Sequence, residues 1–244
     1  MPHVPERDST RPPWQALVLT LFPEVFPGPL GISLAGQAHT AGIWSLDTIQ
    51  IRDFGLGKHR QVDDTPAGGG AGMVLRADVL GPALDHAASL NPQAPLIYLS
   101  PRGTPLTQGL ARDLAEGPGV TLLAGRFEGI DERIIEAKRL KEISVGDYIL
   151  AGGEVAAMVL IEACIRLLPG VVGAAESLAQ ETFESGLLEY PQYTKPRQWE
   201  GRAIPDVLLS GDHRKIDEWR QQQAERLTQD RRPDLIRPTP RNPK

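Results

Sequence analysis

The chain has 244 residues, a formal net charge of −5 and 41% hydrophobic residues. That composition supports a packed core and excludes an intrinsically disordered chain. Its single cysteine, Cys164, excludes a disulfide framework and a cysteine zinc site. We therefore expect a reducing compartment, the cytoplasm. No apolar run reaches the ~18 residues of a membrane-spanning helix, so we expect no membrane association.

Predicted strands and helices alternate along most of the chain. Residues 1–13 are polar and proline-rich, which predicts a disordered extension. Strands are predicted at 14–23, 45–55, 94–103 and 142–150, and a strand that runs into a loop at 119–129. A glycine-rich loop is predicted at 59–73 and helices at 106–117, 131–138 and 153–170. This alternation is typical of an α/β domain with a mostly parallel sheet, which we assign to residues 14–172.

The pattern changes after the small and polar segment 173–186, which we interpret as an interdomain linker. Residues 187–244 carry 12 Lys and Arg against 9 Asp and Glu, whereas the rest of the chain is acidic. A surface helix is predicted at 211–229, so we expect a small, mainly helical second domain. Its mild basicity is compatible both with nucleic-acid binding and with an ordinary solvated surface.

Small and turn-forming residues follow three of the predicted strands, in the segments IYLSPRG, LLAGRFEG and EISVGDYILAGGE. In open α/β sheets, ligands bind beyond the carboxyl ends of the strands. Glycine lets the backbone approach a ligand closely. Three such loops in series predict a pocket that reads a flat, polar group such as adenine with backbone atoms. Neither common glycine-rich phosphate fingerprint occurs, so a phosphate cradle is not expected.

These segments are part of a longer ordered series. VDDTPAGGGAGM, IYLSPRG, LLAGRFEGIDERII and EISVGDYILAGGE are followed by FESGLLEYPQYTKP and VLLSGDHRKIDEWR. The series resembles the bacterial tRNA (guanine-N1-)-methyltransferase (TrmD) family, of the knotted SPOUT class, over nearly everything after the N-terminal extension. The resemblance implies S-adenosyl-L-methionine as methyl donor and methylation of N1 of the guanosine 3′ of the anticodon. It also implies a deep trefoil knot, tRNA as partner and a homodimer.

The resemblance also implies site residues. The cofactor-binding residues would be Tyr98, Leu99, Ser100, Pro101, Gly125, Glu128, Gly129, Val145, Gly146, Asp147, Tyr148, Ile149, Leu150, Gly152 and Gly153. Methylation of guanine N1 needs a base for the N1 proton and a positive group near O6. The resemblance assigns these roles to Glu181 of the linker and Arg166 of the long helix. Aspartate is the commonest family residue at the base position, so Glu181 departs from the pattern by one methylene.

Asp63 and Asp64 precede a proline and three glycines. This segment is either a plain turn or a loop that contacts the acceptor guanine or Mg²⁺. Mg²⁺ is therefore a candidate cofactor, but no dedicated metal site is predicted. Arg214 and Arg231 are candidate tRNA contacts.

Two alternative functions stay open. One is a knotted methyltransferase with another RNA acceptor, such as a ribose 2′-hydroxyl or an rRNA base, and the other is a non-catalytic RNA-binding protein.

Overall fold

Five parallel strands form the main sheet of the protein. The structure is a computed structural model and describes residues 12–172, 182–183 and 186–236. The strands of the first unit are β1 (Trp14–Thr20), β2 (Trp44–Gln50), β3 (Asp63–Asp64), β4 (Val74–Leu75), β5 (Leu96–Pro105), β6 (Gly119–Leu123) and β7 (Lys141–Ser144). The parallel sheet has the order β2-β1-β6-β5-β7, and β3 and β4 form a separate antiparallel pair. The prediction of an α/β fold with a parallel sheet is confirmed.

Helices cover both faces of this sheet. They are α1 (Ser33–Thr40), α2 (Ala77–Leu90), α3 (Gln108–Glu116), α4 (Glu132–Lys138) and α5 (Gly153–Ile165). Ala16 and Val18 of β1 share one apolar cluster with α1, α3 and α5, whereas Leu17 and Leu19 share the other with α2 and α4. Because both faces of β1 are buried, its sequence is a continuous apolar run and does not alternate.

Two helices in the described part of the first unit were absent from the sequence interpretation. Helix α1 is rich in small and polar residues, and α2 contains Gly81 and Pro82, which usually mark a turn. Helix α2 forms in spite of them because one of its faces is buried, through Val79, Leu80, Ala83, Leu84 and Ala87. Burial of that face outweighs the low helix propensity of the two residues.

The ends of several predicted elements are corrected. The strands predicted over 14–23 and 45–55 end at Thr20 and Gln50. The strand predicted over 142–150 ends at Ser144, because Ser144 Oγ hydrogen-bonds both the carbonyl and the N–H of Gly146 and the chain turns there. The helix predicted over 153–170 ends at Ile165. Strand β5 has its predicted length but begins and ends two residues later, and it contains a bulge, since Leu99 and Thr104 both pair with Ile143.

The chain divides into two compact units, Met1–Gly173 and Ala174–Lys244. Within the second unit lie a hairpin of β8 (Gln198–Trp199) and β9 (Arg202–Ala203), the short helix α6 (Asp206–Leu209) and the long helix α7 (His213–Arg231). The buried Thr228 of α7 connects this helix to the segment before the hairpin. Its hydroxyl accepts a hydrogen bond from the N–H of Leu188 at 2.8 Å and donates one to the Ala224 carbonyl at 2.7 Å.

Two predictions fall mostly outside the described residues. Of the predicted N-terminal extension 1–13, only Pro12 and Pro13 are described, and of the predicted linker 173–186, only Thr182, Phe183 and Gly186. Their predicted disorder and linker role therefore stay predictions. No helix in the described ranges is both long enough and apolar enough to cross a bilayer.

Candidate cofactor site

One cavity, which we call the strand-end cavity, is enclosed by the bulged part of β5 and by the two loops that follow β6 and β7. The bulged part of β5 contributes residues 98–101, the second loop 125–129, and the third loop with its flanking residues 143–146 and 148–153. The cavity measures about 250 Å³, close to the roughly 300 Å³ at which small-molecule sites begin. Every predicted cofactor-binding residue lines it except Asp147, whose side chain is exposed and lies outside the lining.

Backbone groups of the second loop and α5 meet at the floor of the strand-end cavity. The Gly153 N–H donates to the Gly125 carbonyl at 2.8 Å. A Cβ atom on Gly153 would stand 2.7 Å from the Cα of Ala124, and one on Gly125 would stand 2.8 Å from the Tyr98 ring. Real Cβ atoms do not approach other atoms this closely. The cavity therefore has its shape because both positions are glycine.

The polar lining of the cavity is mostly uncharged. Burial raises the pKa of the Tyr98 phenol above its usual value, so its hydroxyl is neutral at pH 7 and available as a hydrogen-bond donor. Ser100 and Ser144 are buried beside it, and Arg126 and Glu128 are the charged side chains in the lining. Neutral donors and backbone carbonyls suit a purine base better than a phosphate group.

The third loop turns back on itself over the cavity. The Tyr148 hydroxyl donates to the Val145 carbonyl at 3.1 Å, and the Tyr148 N–H donates to the Gly146 carbonyl at 3.0 Å. Gly146 has a φ of +149°, a conformation that favours glycine. The next residues, Ile149 and Leu150, line the cavity and are exposed. They offer apolar surface against which a flat ring can pack.

The glycine-rich hairpin that contains Asp63 and Asp64 is attached to the second loop. The N–H of Leu75 donates to the Gly129 carbonyl at 3.0 Å, and the N–H of Glu128 donates to the Met73 carbonyl at 2.9 Å. The Glu128 side chain also packs against Gly72, where a Cβ would stand 2.4 Å from Glu128 Cγ. The predicted acceptor loop and the predicted cofactor loop are therefore neighbours.

Within this hairpin the two aspartates differ. Asp64 is exposed, and its Oδ2 lies 3.2 Å from Nη1 of Arg76 in an ion pair, whereas Asp63 is half-buried and pairs with Leu75 in the β3-β4 ladder. In the described ranges no group of three or more His, Cys, Asp or Glu side chains could hold a metal ion. The geometry thus favours Asp64 as the more accessible of the two carboxylates.

The predicted catalytic pair is only partly described. Arg166 follows α5, is half-buried, and its N–H donates to the Glu162 carbonyl at 3.2 Å, whereas Glu181 lies outside the described residues. Helix α5 has 13 residues, so Arg166 lies about 20 Å along the helix axis from Gly153. Its side chain therefore does not reach the strand-end cavity of its own chain.

The predicted tRNA contacts lie on α7. Arg214 is exposed and donates to Glu218 at 2.9 Å, and Arg231 is the exposed last residue of the helix. The two are about 26 Å apart along the helix axis, so they would contact separate parts of a large ligand.

Some lining residues were missed by the sequence interpretation, namely Arg126, Phe127, Ile143, Ser144, Ala151 and Ala156. Arg126 and Phe127 lie between Gly125 and Glu128 in LLAGRFEG, so their position in that loop could have indicated that they line the cavity. Ile143 and Ser144 end a strand, and Ala156 lies one turn into α5, where no loop signal exists.

Fold and site together define an α/β protein with a small-molecule pocket built from backbone loops at one edge of a parallel sheet. A family model described as tRNA (Guanine-1)-methyltransferase TrmD matches residues 15–238. The chain therefore belongs to the tRNA (guanine-1)-methyltransferase family, as its sequence motifs predicted.

Individual relatives cover nearly the whole chain. A protein of Chelativorans sp. (strain BNC1) is 64% identical over 222 residues, 91% of this chain and 94% of its own. One from Rhizorhabdus wittichii is 64% identical over 220 residues, 90% of this chain and 89% of its own. One from Brucella suis is 60% identical over 235 residues, 96% of this chain and 94% of its own. Each is named tRNA (guanine-N(1)-)-methyltransferase.

Proposed function

We propose that the chain is a cytoplasmic tRNA methyltransferase that transfers a methyl group from S-adenosyl-L-methionine to N1 of the guanosine immediately 3′ of the anticodon, which supports the reading frame. The observation that carries the proposal is the strand-end cavity, which gathers the predicted cofactor residues other than Asp147 around one space. Membership of the tRNA (guanine-1)-methyltransferase family supports the same reaction.

The cavity suits this methyl donor. Neutral backbone groups at Gly125 and Gly153 and the buried Tyr98 hydroxyl would hold the adenosine part, with Leu99 and Ile149 against the ring. When bound, S-adenosyl-L-methionine supplies an electrophilic methyl group. The chain holds the acceptor in line with it, and such positioning is a major part of the rate enhancement.

Two side chains are proposed for proton and charge handling at the acceptor. The Glu181 carboxylate would accept the N1 proton of guanine, and the Arg166 guanidinium would stabilise the negative charge that develops on O6. Glutamate and aspartate carboxylates share this chemistry, so we propose that Glu181 takes the role of the aspartate that is commonest in the family.

A homodimer would bring Arg166 to the cavity of the partner subunit. The axial distance of about 20 Å between Arg166 and Gly153 of one chain supports this arrangement. Val155 and Val159 on one face of α5 are 55% and 43% exposed. Apolar residues exposed side by side on a helix are expected at a subunit interface.

The shared site predicts subunit complementation. At a donor concentration well below the native KM, Gly153→Ala protein, whose cavity binds the donor weakly, and Arg166→Ala protein are each expected to have little activity. After denaturation and refolding as a mixture, half of the dimers contain one of each, and in these one of the two sites has only native residues. Activity should recover to roughly a quarter of the native level, measured as methyl transfer to tRNA. A mixture no more active than its parts contradicts the shared site.

The third loop and the second loop would cross as a deep trefoil knot, as the resemblance to the knotted SPOUT class implies. The second unit would bind tRNA through phosphate contacts of Arg214 and Arg231, which makes affinity fall steeply with salt. Mg²⁺ stays a candidate cofactor, and Asp64 is the exposed carboxylate of the acceptor loop.

Methyl transfer from labelled S-adenosyl-L-methionine to unmodified tRNA tests the proposal. Label is expected in tRNA with the guanosine 3′ of the anticodon and is expected to be absent when that guanosine is replaced by adenosine. Label retained in the changed tRNA, or found at a ribose, supports a knotted methyltransferase with another acceptor. Donor binding without label in any RNA supports a non-catalytic RNA-binding protein. The same assay with EDTA tests Mg²⁺.

A further inference from the structure

A buried carboxylate lies directly behind the strand-end cavity. Glu154 is the second residue of α5 and is only 2% exposed, yet it does not line the cavity. Its Oε1 accepts a hydrogen bond from the Thr20 hydroxyl, at the end of β1, at 2.8 Å. Its Oε2 lies 2.9 Å from Nη2 of Arg126, which belongs to the second loop. Glu154 thus connects the first strand to a loop of the cavity.

Arg126 continues this connection into the third loop. Its Nη1 donates to the Ala151 carbonyl at 3.3 Å, and its guanidinium carbon lies 4.4 Å from the centre of the Phe22 ring. The Arg126 side chain packs against Gly152, where an added Cβ would stand 2.2 Å from Arg126 Nε. The same guanidinium therefore contacts α5, the third loop and the segment after β1.

The geometry of this pair is poor for simple stabilisation. Glu154 Oε2 is within ion-pair distance of Arg126 but is not aligned for a hydrogen bond, and neither it nor Arg126 Nε has a hydrogen-bond partner among the described residues. Burying a charge pair carries a desolvation penalty that attraction alone often does not offset. A role in setting geometry accounts better for a pair at this place than a role in stability.

We propose that Glu154 is a positioning residue for the proposed methyl-donor site. Its carboxylate fixes the Arg126 guanidinium, which holds the Ala151 carbonyl and so sets the distance between the second and third loops. The inference rests on the proposed function, because it concerns the affinity of the same cavity for the donor. Glu154 touches neither donor nor acceptor, so it acts through Arg126.

Replacing Glu154 with Gln keeps the shape of the side chain and an acceptor for Thr20 while removing the charge that holds Arg126. We expect the Kd for S-adenosylhomocysteine, measured by titration calorimetry, to rise about tenfold. We expect the KM for the donor to rise with it, whereas kcat at saturating donor stays within about threefold of native. A residue that only stabilised the fold would lower the melting temperature and leave Kd and KM unchanged.

Glu132→Gln is the matched control. Glu132 also lies in the first turn of a helix and also pairs with an arginine, since its carboxylate is 2.9 Å from Arg102, but it is exposed and outside the cavity. It should bind S-adenosylhomocysteine as the native protein does. Equal Kd values for the native protein, Glu154→Gln and Glu132→Gln overturn the inference.

A second variant covers the case in which Glu154→Gln does not fold. Arg126→Lys keeps the charge partner of Glu154 but loses the planar group that reaches Ala151 and stacks on Phe22, and it should also raise the Kd about tenfold. The double variant should bind no more weakly than either single one, because both changes remove the same connection. If the losses of donor affinity in the two single variants add up in the double variant, Glu154 and Arg126 do not act as a pair. If the native protein itself binds no donor, the proposed function fails as well.

Discussion

Glu181→Gln is expected to lower kcat for guanine methylation by about 10²–10⁴-fold, the usual contribution of a positioned general base. Gln keeps the size of the side chain but does not accept the N1 proton. The Kd for S-adenosylhomocysteine should stay near the native value, because Glu181 is proposed to contact the acceptor and not the donor. Single-turnover methylation of unmodified tRNA and titration calorimetry measure the two quantities separately.

Two further variants make this result interpretable. Glu181→Asp keeps a carboxylate at this position, so it should keep most of the activity. Glu184→Gln removes a carboxylate from the same predicted linker and should leave kcat unchanged. If Glu184→Gln is as inactive as Glu181→Gln, or if Glu181→Gln weakens donor binding instead of turnover, the assignment of the base is wrong.

Gly153→Ala is expected to weaken donor binding by about 10–100-fold, which corresponds to the roughly 1–3 kcal/mol that overpacking costs. The added Cβ would stand 2.7 Å from the Cα of Ala124 and 2.8 Å from the N of Gly125. Both are backbone atoms, and the hydrogen bond from Gly153 to Gly125 fixes the same contact, so the second loop must move and the cavity changes shape. Titration with S-adenosylhomocysteine measures the effect.

Gly109→Ala is the control for this change. Gly109 lies in the first turn of α3, as Gly153 lies in the first turn of α5, but it is exposed, and a Cβ there meets only the Thr107 hydroxyl at 3.9 Å. Donor binding should be unaffected and the helix slightly stabilised. Native affinity in the Gly153→Ala protein would show that this close backbone approach does not shape the site.

The loops of the cavity were predictable because their residue types carry a local signal. Glycine shortly after an apolar run indicates where β6 and β7 end, and parallel strands end at one edge of the sheet. Ser100 and Pro101 instead lie within β5, at its bulge. Tyr98, Gly125 and Gly146 could therefore be placed near one another, although only the family resemblance assigned them to a methyl donor.

Other parts of the site depend on contacts between distant segments. The pairing of Glu154 with Thr20 and Arg126 joins residues far apart in the chain, so no window of sequence indicates it. Helix α2 was missed for a related reason, because Gly81 and Pro82 oppose a helix locally and only burial against the sheet favours it. The early end of β7 depends on the Ser144–Gly146 turn, which interrupts a run of apolar residues.

The central claim is that backbone loops at the strand ends hold the methyl donor. A crystal structure of the protein grown with S-adenosylhomocysteine tests it most directly. The account predicts the ligand in the strand-end cavity, with its adenine among the backbone groups of Gly125, Gly146 and Gly153 and the third loop crossed by the second as a knot. A ligand bound at another place, or a chain that is not threaded through itself, would contradict the account.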